Sequence, residues 1–259
     1  PYDVGKLCLI DNSLPLFDRS TLRRELHSLG GGQRRTLVIN GGRLSGKSYT
    51  RYLLDFVARM SRRFQFVYCD LRLLAAGGRI PPERLARLIA APMQLGDSLP
   101  ARGPETPEAW AADLAAWLEG KLAAGEQTYW VVIDHCNSHH LDLGSPELLV
   151  NLASRAETQD HLRLILMDYP DVVTLRSLQL RRVVEEKVEP ITEDHVREFF
   201  RTVHYQLRYP AGGAAPLPAN DPAVDESVQN TWGQVDRSQE GWLGSLGSLV
   251  ESELERIRL

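Results

Sequence analysis

One eight-residue run constrains this chain more than any other feature: Gly41-Gly42-Arg43-Leu44-Ser45-Gly46-Lys47-Ser48, which fits G-x-x-x-x-G-K-[ST] in full. Average residue frequencies put a chance match in a chain of this length at roughly one in a hundred. Glycines at these positions let the backbone curl so that successive N–H groups point inward at an anion, and the positive end of a following helix adds to them. The context that gives the run meaning is an apolar strand before it and a helix after it. Both are legible: Thr36–Asn40 is apolar, and Tyr52, Leu53, Phe56, Val57 and Met60 recur at helical spacing. A phosphate-bearing ligand is therefore expected at Gly41, Gly42, Arg43, Leu44, Ser45, Gly46, Lys47 and Ser48, with Tyr49 adjoining. Lys47 would reach the outer phosphates and the Ser48 hydroxyl would bind Mg²⁺.

Four further runs, Phe64–Asp70, Tyr129–Asp134, Leu162–Met167 and Arg182–Val188, read as short strands mostly apolar on both faces. Between them lie helical stripes such as Trp110, Leu114, Trp117, Leu118 and Leu122, and Ser145-Pro146-Glu147 reads as a helix start with Ser145 as the cap. Strand–helix alternation predicts an α/β fold: a three-layer P-loop sandwich on a five-stranded parallel sheet, with a small C-terminal helical appendage. Three regions are expected. Residues 1–35 form an N-terminal element, 36–190 the nucleotide-binding core, and 191–259 a helical lid with a mobile linker at 210–222. The stripe Val196, Phe199, Phe200, Val203 and the apolar face Trp242–Ile257 are expected to pack together.

Tyr129–Ile133 runs apolar into Asp134, as a carboxylate that organises Mg²⁺ at the carboxyl edge of a sheet requires. Asp70, at the end of another strand, is its rival. After Asp134 the chain reads His135-Cys136-Asn137-Ser138, with no glutamate until Glu147. His135 is thus the candidate base. The cluster His135, Cys136, His139, His140 and Asp142 matches none of the common structural zinc spacings.

The order of these parts resembles the STAND and AAA+ class of P-loop ATPases over about Leu14 to Tyr205. Leu16-Phe17-Asp18-Arg19 is similar to the short element that packs on adenine in that class, which makes Phe17 and Arg19 base contacts by resemblance. Here Asp18 and Ser20 stand where that class has glycine and glutamate. Asp134 matches the first Walker B acid, whereas the second acidic position holds His135 or Asn137. The class inserts its fourth strand between the P-loop strand and the Walker B strand, which would bring Asp168 near the terminal phosphate. Arg176, Arg181 and Arg182 sit where oligomeric members supply an arginine to a neighbour. Degenerate acids and a clipped lid are most similar to the inactive-STAND-like ATPase components of bacterial conflict systems.

That resemblance implies ATP or ADP with Mg²⁺ as cofactors and a regulatory switch with a protein partner or effector, with slow hydrolysis or none. The alternatives are an active AAA+ ATPase acting on DNA or protein and, behind it, a small-molecule kinase using Asp70-Leu71-Arg72. A net charge of −4 argues against a broadly basic nucleic-acid face. Three widely spaced cysteines, no apolar run of membrane-spanning length and no signal peptide point to a cytoplasmic setting.

Overall fold

A computed structural model describes residues 9–10, 14–15, 17, 20–42, 45–75, 78–93, 98–101, 106–124, 127–137, 139–177, 183–209, 217–218, 220–239 and 241–258. The chain divides into two compact units. One comprises residues 21–41 and 47–187, the other 1–20, 42–46 and 188–259.

The larger unit is built on a five-stranded sheet of β3 (Thr36–Gly41), β4 (Phe64–Asp70), β5 (Thr128–Asp134), β6 (Leu162–Met167) and β7 (Val183–Val188), in the order β4-β5-β6-β3-β7. The pairs β4–β5, β5–β6 and β3–β6 are parallel. The fourth strand of the core thus lies between the P-loop strand and the strand carrying Asp134, as the resemblance implied. Strand boundaries match the expected runs to within a residue, most plainly in β5 and β6, which are buried nearly throughout and so must be largely apolar.

Side-chain alternation sorts the two faces. Tyr129, Val131 and Ile133 of β5 share one apolar core with α4 (Pro82–Ala90), α5 (Pro107–Ala123) and α6 (Ser145–Ala156). Trp130, Val132 and Asp134 take the opposite face, where Trp130 stacks on Phe64 at 4.8 Å between ring centroids. Helices α1 (Ser20–Gly30) and α2 (Thr50–Ser61) form the layer on that side, with Leu22, Leu26, Leu29, Leu53 and Leu54 fully buried. Each such leucine contributes roughly 1.5–3 kcal/mol of transfer free energy. The result is a three-layer α/β sandwich.

One expected cap is corrected. Ser145 is the first helical residue of α6, and its hydroxyl donates to the Ile80 carbonyl at 2.7 Å instead of capping. The preceding position belongs to Gly144, at φ 84°, where a Cβ would meet the Pro107 carbonyl oxygen at 2.9 Å. Neither a left-handed backbone nor so close an approach suits a side chain.

The second unit contains a two-stranded antiparallel ribbon, β1 (Leu9–Ile10) and β2 (Leu14–Pro15), and the helices α8 (Glu193–Arg208), α9 (Pro222–Thr231) and α10 (Trp242–Arg258). Its core joins Phe17, Val196, Phe199, Phe200, Val203, Val224, Val228, Trp242, Leu246, Val250 and Leu254. The two stripes expected to pack together do so. Helix α9 was not legible: its apolar positions are few, and its start is set by Asp221, whose carboxylate accepts from the Ala223 N–H and holds Arg208. Most of the expected mobile linker lies outside the described residues. No described helix is long and apolar enough to cross a membrane.

Candidate functional site

Strand β3 delivers the chain to the motif at the sheet's carboxyl edge. Gly46 has φ 81°, a conformation that glycine adopts without strain. The residues after it form a 3-10 turn, Lys47–Tyr49, before α2 begins at Thr50, so the helix expected after the motif starts with a tighter turn. Arg43 and Leu44 lie outside the described residues, as do Leu16, Asp18 and Arg19. Ser48 sits in the 3-10 turn, and Tyr49 packs edge-on against Tyr52. Phe17 is buried in the helical unit, in edge contact with Phe199 at 5.1 Å.

The Lys47 ammonium donates to the Gly41 carbonyl at 2.5 Å and lies 3.1 Å from Asp168 Oδ1. Asp168 follows β6 directly and is anchored by its own N–H, which donates to the Ile39 carbonyl. Sheet order alone makes this pairing: β6 lies beside β3, so the first residue past β6 meets the residues that β3 feeds.

Asp134 ends β5 and is 1% exposed. Its Oδ2 accepts from the Tyr68 hydroxyl at 2.8 Å, and its Oδ1 accepts from the His135 N–H at 2.7 Å. Tyr68 lies on the neighbouring strand β4, with the Arg51 guanidinium 5.2 Å from its ring centroid. Burial first, and then the Asp134 charge, push the Tyr68 phenol well above its ordinary value. It therefore remains a proton donor to the carboxylate.

Asp70 is the register partner of Asp134, and the structure separates the two rivals. Asp70 accepts from the Arg72 and Leu73 N–H groups, capping the short helix α3 (Leu71–Leu74), and also pairs with the Arg72 side chain. Among the described residues Asp134 caps no helix. Its carboxylate is held by one phenol and one peptide N–H.

His135 has φ 60° and Asp168 has φ 57°, both left-handed in non-glycine residues directly after adjacent strands. Such conformations are uncommon and cluster at functional sites. The His135 ring lies among three carboxylates: Nδ1 is 3.7 Å from Asp168 Oδ2, and Nε2 is 3.9 Å from both Asp134 Oδ2 and Asp70 Oδ1. Beyond it the chain turns to the other face of the sheet, where burial raises the Cys136 thiol well above its ordinary value. Tyr68 and Arg51 were missed from sequence. The one available signal was the alternation of β4, which sets Tyr68 on the same face as its terminal aspartate's neighbour Asp134. Arg176 lies on α7 (Val172–Ser177), with its side chain outside the described residues, as are Arg181 and Arg182 entirely.

This architecture is similar to that of the Aeropyrum pernix Orc1 protein, solved in complex with DNA, at 19% identity and a TM-score of 0.50. The fold is that of the P-loop ATPases. The match covers 94% of this chain but 61% of the Aeropyrum protein, so the chain spans about three fifths of that relative. The Walker-type ATPase PABY2304 of Pyrococcus abyssi aligns at 22% identity, over 94% of this chain and 68% of the other, with a TM-score of 0.43. For Drosophila ORC bound to DNA the values are 15%, 93%, 64% and 0.48. No family model and no curated protein matches the sequence.

A magnesium nucleotide can be tested against these side chains. A buried carboxylate held only by a phenol and a peptide N–H, among the described residues, has negative charge left over for a hard cation. A lysine already seated on an oxygen anion can exchange it for a phosphate oxygen. The donor set fits.

Proposed function

We propose that the chain is an ATP- and Mg²⁺-binding switch module whose nucleotide state, more than continuous turnover, carries a signal to a partner or effector. In this reading the 41–48 loop supplies phosphate contacts, Lys47 a positive charge, and Ser48 and Asp134 the ligands of the ion. Bound Mg²⁺-nucleotide would supply the phosphoanhydride and the cation that neutralises it. The chain's own residues would hold and orient it. The setting suggested by resemblance is a STAND-like component of bacterial signalling or defence, with Phe17 and Arg19 near the base.

The observation that supports weak hydrolysis is the residue after Asp134. Where an active ATPase carries a carboxylate to orient water, this chain has an imidazole surrounded by three acids. An anionic residue there would orient and polarise the attacking water, and position 135 holds none.

The second reading, an active ATPase working on DNA, draws on the Aeropyrum protein having been solved with DNA. The net charge of −4 counts against it.

Calorimetric titration with Mg-ATP tests nucleotide binding directly. Lys47→Ala should weaken it by roughly two to three orders of magnitude, because charge-assisted phosphate contacts are worth about 1.5–3 kcal/mol each and act together. Equal affinity for the wild type and the variant would overturn the nucleotide reading.

A further inference from the structure

Asp134, His135 and Asp168 each bring one potential ligand atom to within 4.8 Å of the other two. We infer that these three residues form a site for a divalent transition-metal ion of the Zn²⁺ type, occupied in the absence of nucleotide and distinct in chemistry from nucleotide-bound Mg²⁺.

Three observations carry this assignment. First, the His135 Nε2 atom is buried without a hydrogen-bond partner. A buried ring nitrogen with no proton donor or acceptor in reach is costly unless something else fills its coordination. Second, the imidazole–carboxylate separations of 3.7–3.9 Å exceed hydrogen-bond length. Atoms that share one ion at ~2.1 Å stand ~3–3.5 Å apart, so Nε2 and Asp134 Oδ2 need close by only a few tenths of an ångström, whereas Asp168, which faces Nδ1, must bring an oxygen round to the Nε2 side to complete the shell. Third, Asp168 gives Oδ1 to Lys47 and turns Oδ2 to the ring, while Asp134 Oδ2, which also accepts from the Tyr68 hydroxyl, is the oxygen nearer Nε2.

The donor set decides the metal. Mg²⁺ takes oxygen ligands and retains its waters, whereas an imidazole joined to two carboxylates suits borderline ions such as Zn²⁺ or Co²⁺. Charge agrees: Lys47 offsets one of the two carboxylates and leaves the other to the ion. The cluster whose spacing fits no structural zinc pattern includes the histidine that the fold brings to two aspartates at adjacent strand ends. Nucleotide binding would recruit Lys47 and Asp134, so Zn²⁺ and Mg-ATP should exclude one another.

Binding of the ion is independent of the nucleotide reading, and only its displacement by Mg-ATP rests on that reading, so the test keeps the two apart. Untagged, metal-free protein is titrated with Co²⁺, followed by visible ligand-field absorption, and with Zn²⁺ by calorimetry. The expected result is one ion per chain, displaced by Mg-ATP. Both His135→Ala and Asp168→Ala should weaken binding at least about tenfold, since losing even an outer-shell partner of a metal costs about that much. Lys47→Ala, which frees Asp168 Oδ1, should bind the ion at least as tightly as wild type although its nucleotide affinity is lost. Circular dichroism identifies a variant that fails to fold, and the other alanine variant and Lys47→Ala then decide the outcome. The inference is overturned if the wild type binds no Co²⁺ or Zn²⁺, or if a folded alanine variant binds as well as the wild type.

Discussion

Tyr68 shows how a single side chain on a neighbouring strand can set the behaviour of a buried acid. Its hydroxyl is the only side-chain donor to Asp134 within hydrogen-bond distance among the described residues, and Arg51 stands over its ring. Tyr68→Phe removes the donor while keeping the ring and its packing. A hydrogen bond to a charged group contributes about 1.5–3 kcal/mol, which lowers the thermal midpoint of a unit this size by several degrees. With one oxygen of Asp134 released, the Mg²⁺ concentration needed for half-saturation with nucleotide should also shift. Differential scanning fluorimetry and Mg²⁺ titration at fixed ATP measure the two effects, and an unchanged midpoint together with unchanged Mg²⁺ dependence would remove Tyr68 from the site. At this scale the sequence was partly legible. Lys47 and Asp134 carry patterns specific enough to name in advance, because backbone requirements surround them with glycines in one case and apolar strand in the other. The partners that hold them do not. Asp168 meets Lys47 only through strand order, and Tyr68 meets Asp134 only through register.

Helices α8, α9 and α10 are joined by a buried polar chain as well as by their apolar core. Ser227 on α9 donates to Glu253 on α10 at 2.7 Å, so its oxygen accepts from His204 Nε2 on α8 at 3.0 Å. Glu253 also accepts from Asn230 and from two nitrogens of Arg256. Burial, and then Arg208, lower the His204 pKa, although Asp221 and Glu253 work the other way. A histidine held below its ordinary value binds fewer protons folded than unfolded, so stability is full above about pH 6.5 and falls as pH drops through the ordinary imidazole range. Thermal unfolding followed by circular dichroism should therefore show a lower midpoint at pH 5.5 than at pH 7.5. His204→Gln keeps an N–H donor for Ser227 and removes the titration, and it should flatten that dependence. A drop of the same size in the variant would assign it to another group. None of this network could be read from sequence. Apolar periodicity announced α8 and α10, but α9 is polar on most of its surface, and the polar residues that lock it in come from three separate helices. The central strands β5 and β6 were legible for the opposite reason, since a strand buried on both faces is held to apolar residues along most of its length.

At the scale of the whole molecule, fold and rate pull apart. The strand order, the motif after β3 and the acid at the end of β5 fit the fold of a P-loop ATPase, yet in the proposed reading they would clamp phosphate and cation in ground state and transition state alike. Acceleration needs groups that act more strongly in the transition state: a water-orienting carboxylate and a positive charge on the terminal phosphoryl group. The first position holds His135, with its two ring nitrogens turned toward Asp168 and toward Asp70 and Asp134. The second would have to come from an arginine of a neighbouring molecule. The isolated chain should therefore bind Mg-ATP well and turn it over more slowly than about once per minute, the range of switch NTPases that lack an arginine finger. Differential affinity of ATP and ADP for two states of the module would then carry the signal. Steady-state phosphate release by purified protein measures this, with Lys47→Ala as the control for contaminating ATPase. His135→Glu restores the missing carboxylate and should raise the rate if position 135 limits it. Turnover near one per second in the wild type, abolished by Lys47→Ala, would sink the switch reading in favour of an active ATPase, and loss of that rate in His135→Ala would make the imidazole its base.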